Sequence, residues 1–245
     1  MAQKLRKLGE LVGYHLHATD GEIGELVNVY YDDKHWTVRY FIVHTGNWLN
    51  GKDVLIPPPA IIGVDDKNKC LDVSLTREQV ENSPPVDTAK PVSRYYEEEY
   101  HRYYNWEPYW ISDPLFWSSS TAAIQEADKE RKPMEHPNLR SCKEVQGYHI
   151  HALDGAIGHV EDAILDSSNW SVRYFEISTR NWLPGKHILM SPVWAHSIDW
   201  ATETVTVNVK CEAIKSAPAY HQKQIIDSDY EKALAKHYGM EARRK

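Results

Sequence analysis

The chain has 245 residues, a formal charge of -7 and a pI near 6.0; this acidity argues against nucleic-acid binding, which rests on Lys and Arg neutralising phosphates. No apolar run approaches the roughly 18 residues of a membrane helix and residues 1–11 hold no signal-like apolar core, so a cytoplasmic protein without an integral membrane segment is expected. Cys70, Cys142 and Cys211 are odd in number, widely spaced and without a C-x-x-C pair, which reads as reduced, structurally incidental thiols.

Gly13-Tyr14-His15-Leu16-His17-Ala18-Thr19-Asp20-Gly21-Glu22-Ile23-Gly24 opens the first patterned region. It returns 134 positions later as Gly147-Tyr148-His149-Ile150-His151-Ala152-Leu153-Asp154-Gly155-Ala156-Ile157-Gly158. Half of residues 13 to 58 are identical in the second copy, including Trp36, Arg39, Tyr40 and Phe41 as Trp170, Arg173, Tyr174 and Phe175, and Asn47-Trp48-Leu49 as Asn181-Trp182-Leu183. Such self-similarity marks a duplicated module.

Within copy one, Asp20-Gly21 is the preferred pair for a tight turn, so the His-containing strand turns directly into the next. Residues 22–32 and 35–43 alternate apolar and polar and predict a hairpin around Asp32-Asp33-Lys34. Val54-Leu55-Ile56 and Cys70–Leu75 supply two further short strands, with Pro57-Pro58-Pro59 at an edge or corner between them. Thr76 followed by Gln79 is a capping-box signature for a short helix stopping before Pro84. Copy two repeats that helix at Cys211 to Ala217, and helical tails begin near Ser93 and Asp227. These elements predict a mainly β chain of two small antiparallel barrels in tandem, each with a C-terminal helical tail. The expected division is 1–104 for the first repeat, 105–140 for a linker and 141–245 for the second repeat. Each barrel has too small a core to be secure alone, so the two are expected to pair within the chain, with a homodimer as the further association the reading allows.

Asn105 to about Arg140 has no counterpart in copy two. It carries Trp106, Tyr109, Trp110, Phe116 and Trp117, then a polar segment over 122–132 that predicts a helix. Five large rings in so short a stretch read either as a clasp over the barrels or as a partner-binding patch.

The order of strand, Asp20-Gly21-x-x-Gly24, hairpin, Gly51-Lys52-x-x-Leu55-x-Pro57, short strand and capped helix resembles the PRC-barrel family. It is echoed by Asp154-Gly155-x-x-Gly158 with Gly185-Lys186-x-x-Leu189-x-x-Pro192. That family includes the cytoplasmic domain of the photosynthetic reaction centre H subunit and the C-terminal domain of a ribosome maturation factor. The resemblance covers residues 11–104 and 145–239. It implies a non-enzymatic module for protein interaction or assembly, including roles like that of the reaction centre H subunit, with an unidentified protein partner. This chain lacks the membrane helix that precedes the barrel in the reaction-centre subunit.

His15 with His17, and His149 with His151, are H-x-H pairs that put two imidazoles on one face of a strand, the residues a Zn or Cu site would use. A structural role outweighs that reading, and no metal or cofactor is expected. Arg39 with Asp32 and Arg173 with Asp166 read as cross-strand ion pairs, Glu97-Glu98-Glu99 as a solvated helix face, and Gly21, Gly24, Gly155 and Gly158 as turn glycines. No set of residues forms a catalytic constellation, and no catalytic residue is assigned. The rival reading is a small-ligand or metal-binding protein, sensory or enzymatic, with a site between the barrels.

Overall fold

A computed structural model describes residues 5–84, 92, 94–109, 139–179, 186–221 and 224–239. The chain is mainly β. Copy one supplies β1 (Leu5–Lys7), α1 (Leu8–Leu11), β2 (His15–Ala18), β3 (Gly21–Asp32), β4 (Thr37–His44), β5 (Asp53–Ile56), β6 (Ile61–Asp65), β7 (Cys70–Val73), α2 (Arg77–Glu81) and α3 (Arg94–Tyr104). Copy two follows the same order: β8 (Leu139–Ser141), α4 (Cys142–Val145), β9 (His149–Ala152), β10 (Gly155–Asp166), β11 (Ser171–Ser178), β12 (His187–Met190), β13 (Ala195–Asp199), β14 (Thr204–Val207), α5 (Cys211–Lys215), β15 (Ala219–Tyr220) and α6 (Ser228–His237). The duplication also reaches further upstream than the motif suggests, since Leu5-Arg6 and Glu10 return as Leu139-Arg140 and Glu144.

Strand pairing runs β13-β14-β9-β10-β11-β4-β3-β2-β7-β6, with the remaining strands paired off this path, and the path does not close on itself. It reads the same from either end once each strand is exchanged for its counterpart. The chain divides into two compact units, one of Met1–Tyr14, Leu26–Phe41 and Arg140–Lys245, the other of His15–Glu25 and Ile42–Leu139.

The first unit is organised around a reciprocal seam. The hairpins of both copies close through a loop whose last residue, Trp36 or Trp170, is left-handed at φ 55°. Asp32 and Asp166 set this up. Each accepts a bond from the Trp backbone N–H on its carbonyl, at 2.7 and 2.6 Å. Each also turns the loop with its carboxylate, which accepts from the amide two residues on at 2.9 Å. The left-handed residue is a feature of this loop type, since Lys69 and Glu203 end the β6–β7 and β13–β14 loops in the same way, and at Trp36 and Trp170 the loop also contacts the other copy. Val38 N donates to Trp170 O at 2.8 Å and Val172 N to Trp36 O at 2.7 Å. The Trp36 ring meets Phe175 edge-on with centroids 5.6 Å apart, and Trp170 meets Phe41 at 4.7 Å.

The leading strands are exchanged in the same reciprocal way. β1 pairs antiparallel with β10, Leu5 opposite Asp166, while β8 pairs with β3. Arg6 Nε donates to Ser167 Oγ at 3.3 Å, and its counterpart Arg140 Nε donates to Asp33 Oδ2 at 3.2 Å.

In the second unit β2 lies antiparallel to β3 and parallel to β7, and β6 completes the edge. Leu16, Ile23, Leu55, Ile56 and Leu71 are buried in this unit. The Thr76 side chain caps α2 by accepting from Gln79 N, and Gln79 bonds back to Thr76 N, as the sequence predicts. The Asp of each Asp-Gly turn has a second duty. Asp20 Oδ1 accepts from Arg77 N at 2.8 Å in this unit, and Asp154 Oδ1 from Cys211 N at 2.7 Å in the first, tying the turn to the start of the short helix.

Three expectations need correction. Gly24 and Gly158 lie inside strands rather than at turns. A Cβ on either would sit 2.1 Å from a carbonyl oxygen, that of His44 or Ser178, so glycine is required by close backbone approach. Arg173 pairs with Glu231 of α6 at 3.3 Å instead of Asp166. Glu97 is buried, its carboxylate accepting the Tyr109 hydroxyl at 2.6 Å, so the acidic run is not uniformly a solvated face. The expected 32–39 ion pair is present at 3.0 Å. The helix expected over 122–132 lies outside the described residues.

Gly158→Ala is expected to destabilise the protein by about 3 kcal/mol or more, beyond the cost of Gly147→Ala, where an added Cβ meets open space and only the strain of its positive φ of 91°, about 1 to 2 kcal/mol, remains. Chemical denaturation of the two variants checks the difference.

Candidate functional site

A groove of about 450 Å³ opens in the first unit between the copy-one hairpin loop and β13. Its walls include Asp33, Lys34 and Trp36 on one side and Val193, Ser197, Ile198 and Trp200 on the other. Trp200 is fixed from behind. The Arg140 guanidinium lies 4.1 Å from its ring centroid and is itself held by Asp33, and Tyr148 packs against the same indole at 5.8 Å. Burial raises the Asp33 carboxyl above its ordinary pKa even beside Arg140. β13 ends the strand path and pairs only with β14 among the described residues. Its outer edge therefore presents backbone donors and acceptors beside an aromatic wall.

A second feature of the first unit is a buried charge cluster. Glu176 on β11 is fully buried, yet it lies 2.6 Å from Lys7 Nζ and 2.8 Å from His187 Nδ1. Asp162 on β10 stands 4.0 Å from Lys7 and accepts from Gly9 N at 3.2 Å and Ala163 N at 2.8 Å. Desolvation pushes the Asp162 carboxyl up to about 6, against the lowering effect of those amides and Lys7. The nearby carboxylates and burial push the Tyr220 phenol up to about 12, with burial the larger cause. The twin site is a control for what the fold itself requires. The counterparts of Lys7, Asp162, Glu176 and His187 are Ser141, Asn28, Ile42 and Asp53. There, Asn28 Nδ2 donates to Ser141 Oγ at 2.8 Å and a plain isoleucine replaces the buried glutamate.

The His pairs are placed as follows. In the second unit His15 Nδ1 is 2.7 Å from Glu22 and His17 Nδ1 is 3.9 Å from Asp72. His17 Nε2 also approaches Cys70 Sγ at 3.8 Å, where burial and three carboxylates raise the thiol pKa. His149 and His151 on β9 are exposed. Among the described residues no three His, Cys, Asp or Glu side chains are grouped to hold a metal ion. His15 does line a pocket of about 430 Å³ with Glu22, His44, Trp48 and Arg77. Its frame is the duplicated motif: Trp48 Nε1 donates to Ile23 O, and the Arg77 guanidinium stacks 4.5 Å over the Trp48 ring.

Of the aromatic linker residues, Trp106 stacks on Tyr104 at 4.2 Å and its backbone N–H donates to His101 O, while Tyr109 bonds Glu97. Both are fastened to α3 or its end. Trp110, Phe116 and Trp117 lie outside the described residues. The buried cluster escapes sequence reading because its four members come from distant positions with no motif spacing; the signal available was that a glutamate stands where the twin has isoleucine.

No family model matches the chain, and no curated protein matches it. Among the described residues no helix is long and apolar enough to cross a membrane.

Glu176→Ile alone is expected to cost about 3 kcal/mol, because it leaves Lys7 buried without its acceptor. Adding Lys7→Ser and Asp162→Asn, the residues of the twin site, is expected to recover most of that loss in urea titrations.

Proposed function

We propose that the chain is a non-enzymatic interaction or assembly module built from two PRC-type barrels, and that the groove beside β13 receives an extended segment of a partner protein. The observation that carries this reading is the combination of a strand edge that is unpaired among the described residues with Trp36 and Trp200 beside it. An added strand gains affinity from main-chain hydrogen bonds, and neighbouring pockets read alternate side chains. Aromatic anchors in a groove are the usual source of binding energy at such surfaces. Trp200 is held by Arg140 and Tyr148 before any partner arrives, which lowers the ordering cost of binding.

The assembly reading rests on the resemblance of the duplicated Asp-Gly and Gly-Lys motifs to PRC barrels. The fold is consistent with it in being mainly β and duplicated in register. The linker residues Trp106 and Tyr109, already packed on the first helical tail, serve in this reading as part of the clasp rather than as the recognition surface.

The test is selection of extended peptides from a displayed library, followed by mapping of backbone amide shifts. Peptides that shift β13 amides and lose at least tenfold in affinity with Trp200→Ala, while the variant keeps its melting temperature within a few degrees, are the expected result. Selected peptides that leave β13 unmoved, or bind Trp200→Ala equally, contradict it.

A further inference from the structure

We propose that the N-terminal segment Leu5–Leu11 is a proton-controlled latch, fastened over the edge of β10 by Lys7, Asp162, Glu176 and His187 and held more tightly in mildly acidic than in alkaline solution. The segment belongs to copy one but lies on a strand of copy two. Its attachment consists of three residues of β1, the Arg6 bond to Ser167, Gly9 N on Asp162, Lys7 between two carboxylates, and the buried side chains of Leu8 and Leu11.

Every element packed around the cluster contributes a titratable or charged group. β1 gives Lys7, α1 gives Glu10, β10 gives Asp162, β11 gives Glu176, β12 gives His187, β15 gives Tyr220 and α4 gives Cys142, whose thiol is raised mainly by burial and also by Asp162. With Asp162 ionised, three carboxylates face one ammonium and one imidazole. Protonating Asp162 removes a buried charge that its two amide donors and a Lys 4.0 Å away do not fully compensate. That change favours the docked segment as pH falls.

A cavity of about 200 Å³, lined by Leu5, Lys7, Glu10, Tyr220 and Gln224, opens beside the cluster and gives water a route to it. The twin site shows that the fold does not need this chemistry, since Ser141, Asn28 and Ile42 hold the exchanged strand β8 without a buried charge. Release of the segment would uncover the backbone of β10 over Ile164–Asp166, the residues β1 now covers, and so offer an edge to another strand.

The sign follows from linkage. The docked state holds the Asp162 proton more tightly than a solvated Asp does. Its contribution to docking is therefore fully present below the ordinary Asp pKa and is lost as pH rises through about 6.

The experiment is amide hydrogen exchange on the full chain, with protection factors normalised for intrinsic rate at pH 5.0 and pH 7.5. Residues 8–11 are expected to lose protection about tenfold at the higher pH, while amides in β11 and β4 keep theirs. Asp162→Asn, whose folding is made secure by Asn28 at the twin position, is expected to remove most of that difference. Equal protection at the two pH values, a parallel change across the whole first unit, or an unchanged pH response in Asp162→Asn would each overturn the proposal.

Discussion

The structure depends on a reciprocal exchange between two copies of one hairpin. Trp36 and Trp170 accept backbone hydrogen bonds from Val172 and Val38, and each ring packs on a phenylalanine of the opposite copy. The left-handed turn belongs to the hairpin loop itself, since Lys69 and Glu203 end the β6–β7 and β13–β14 loops in the same conformation. The seam adds contacts between the copies to a loop that forms locally. The same exchange governs the leading strands, because β1 and β8 each lie on a strand of the other copy. Residues 26–41 of copy one therefore cluster with copy two in a single compact unit.

Duplication also separates structure from chemistry. What both copies keep is what the fold needs: the Gly that admits a close carbonyl, the Asp that ties turn to helix, the Asp that shapes the hairpin loop, and the Trp of the seam. What they do not share is free to serve function. Glu176 and Asp162 of copy two and Lys7 of copy one have Ile42, Asn28 and Ser141 as their counterparts, and Trp200 has Asp66. The charge cluster and the Trp200 wall of the groove both fall in this divergent set. Buried charges are poor stabilisers compared with apolar residues of similar volume, so their presence at only one of the two equivalent sites points away from a purely structural duty.

Much of the fold was legible because local chemistry decides it. The Asp20-Gly21 turn, the β3–β4 hairpin, the capping box at Thr76 and the constant register of the copies all follow from short-range pattern. Short strands β1, β6, β8 and β13 were not, since three to five residues of mixed character carry no period and are fixed by their partners. Gly24 and Gly158 were misread because close approach of a distant backbone leaves no local trace. Of the candidate site residues, Trp106 and Tyr109 were expected in a clasp or a binding patch, and the structure places them on α3 or at its end. The groove and the charge cluster required tertiary placement, as their members are separated by more than a hundred residues.

The seam joins residues of both copies into one cooperative structure. Native-state hydrogen exchange at the amides of Val38 and Val172 is the decisive measurement. The two amides are expected to exchange with the same opening free energy and the same denaturant dependence, within about 0.5 kcal/mol. Independent opening of Val38, at a free energy clearly below that of Val172, would contradict it.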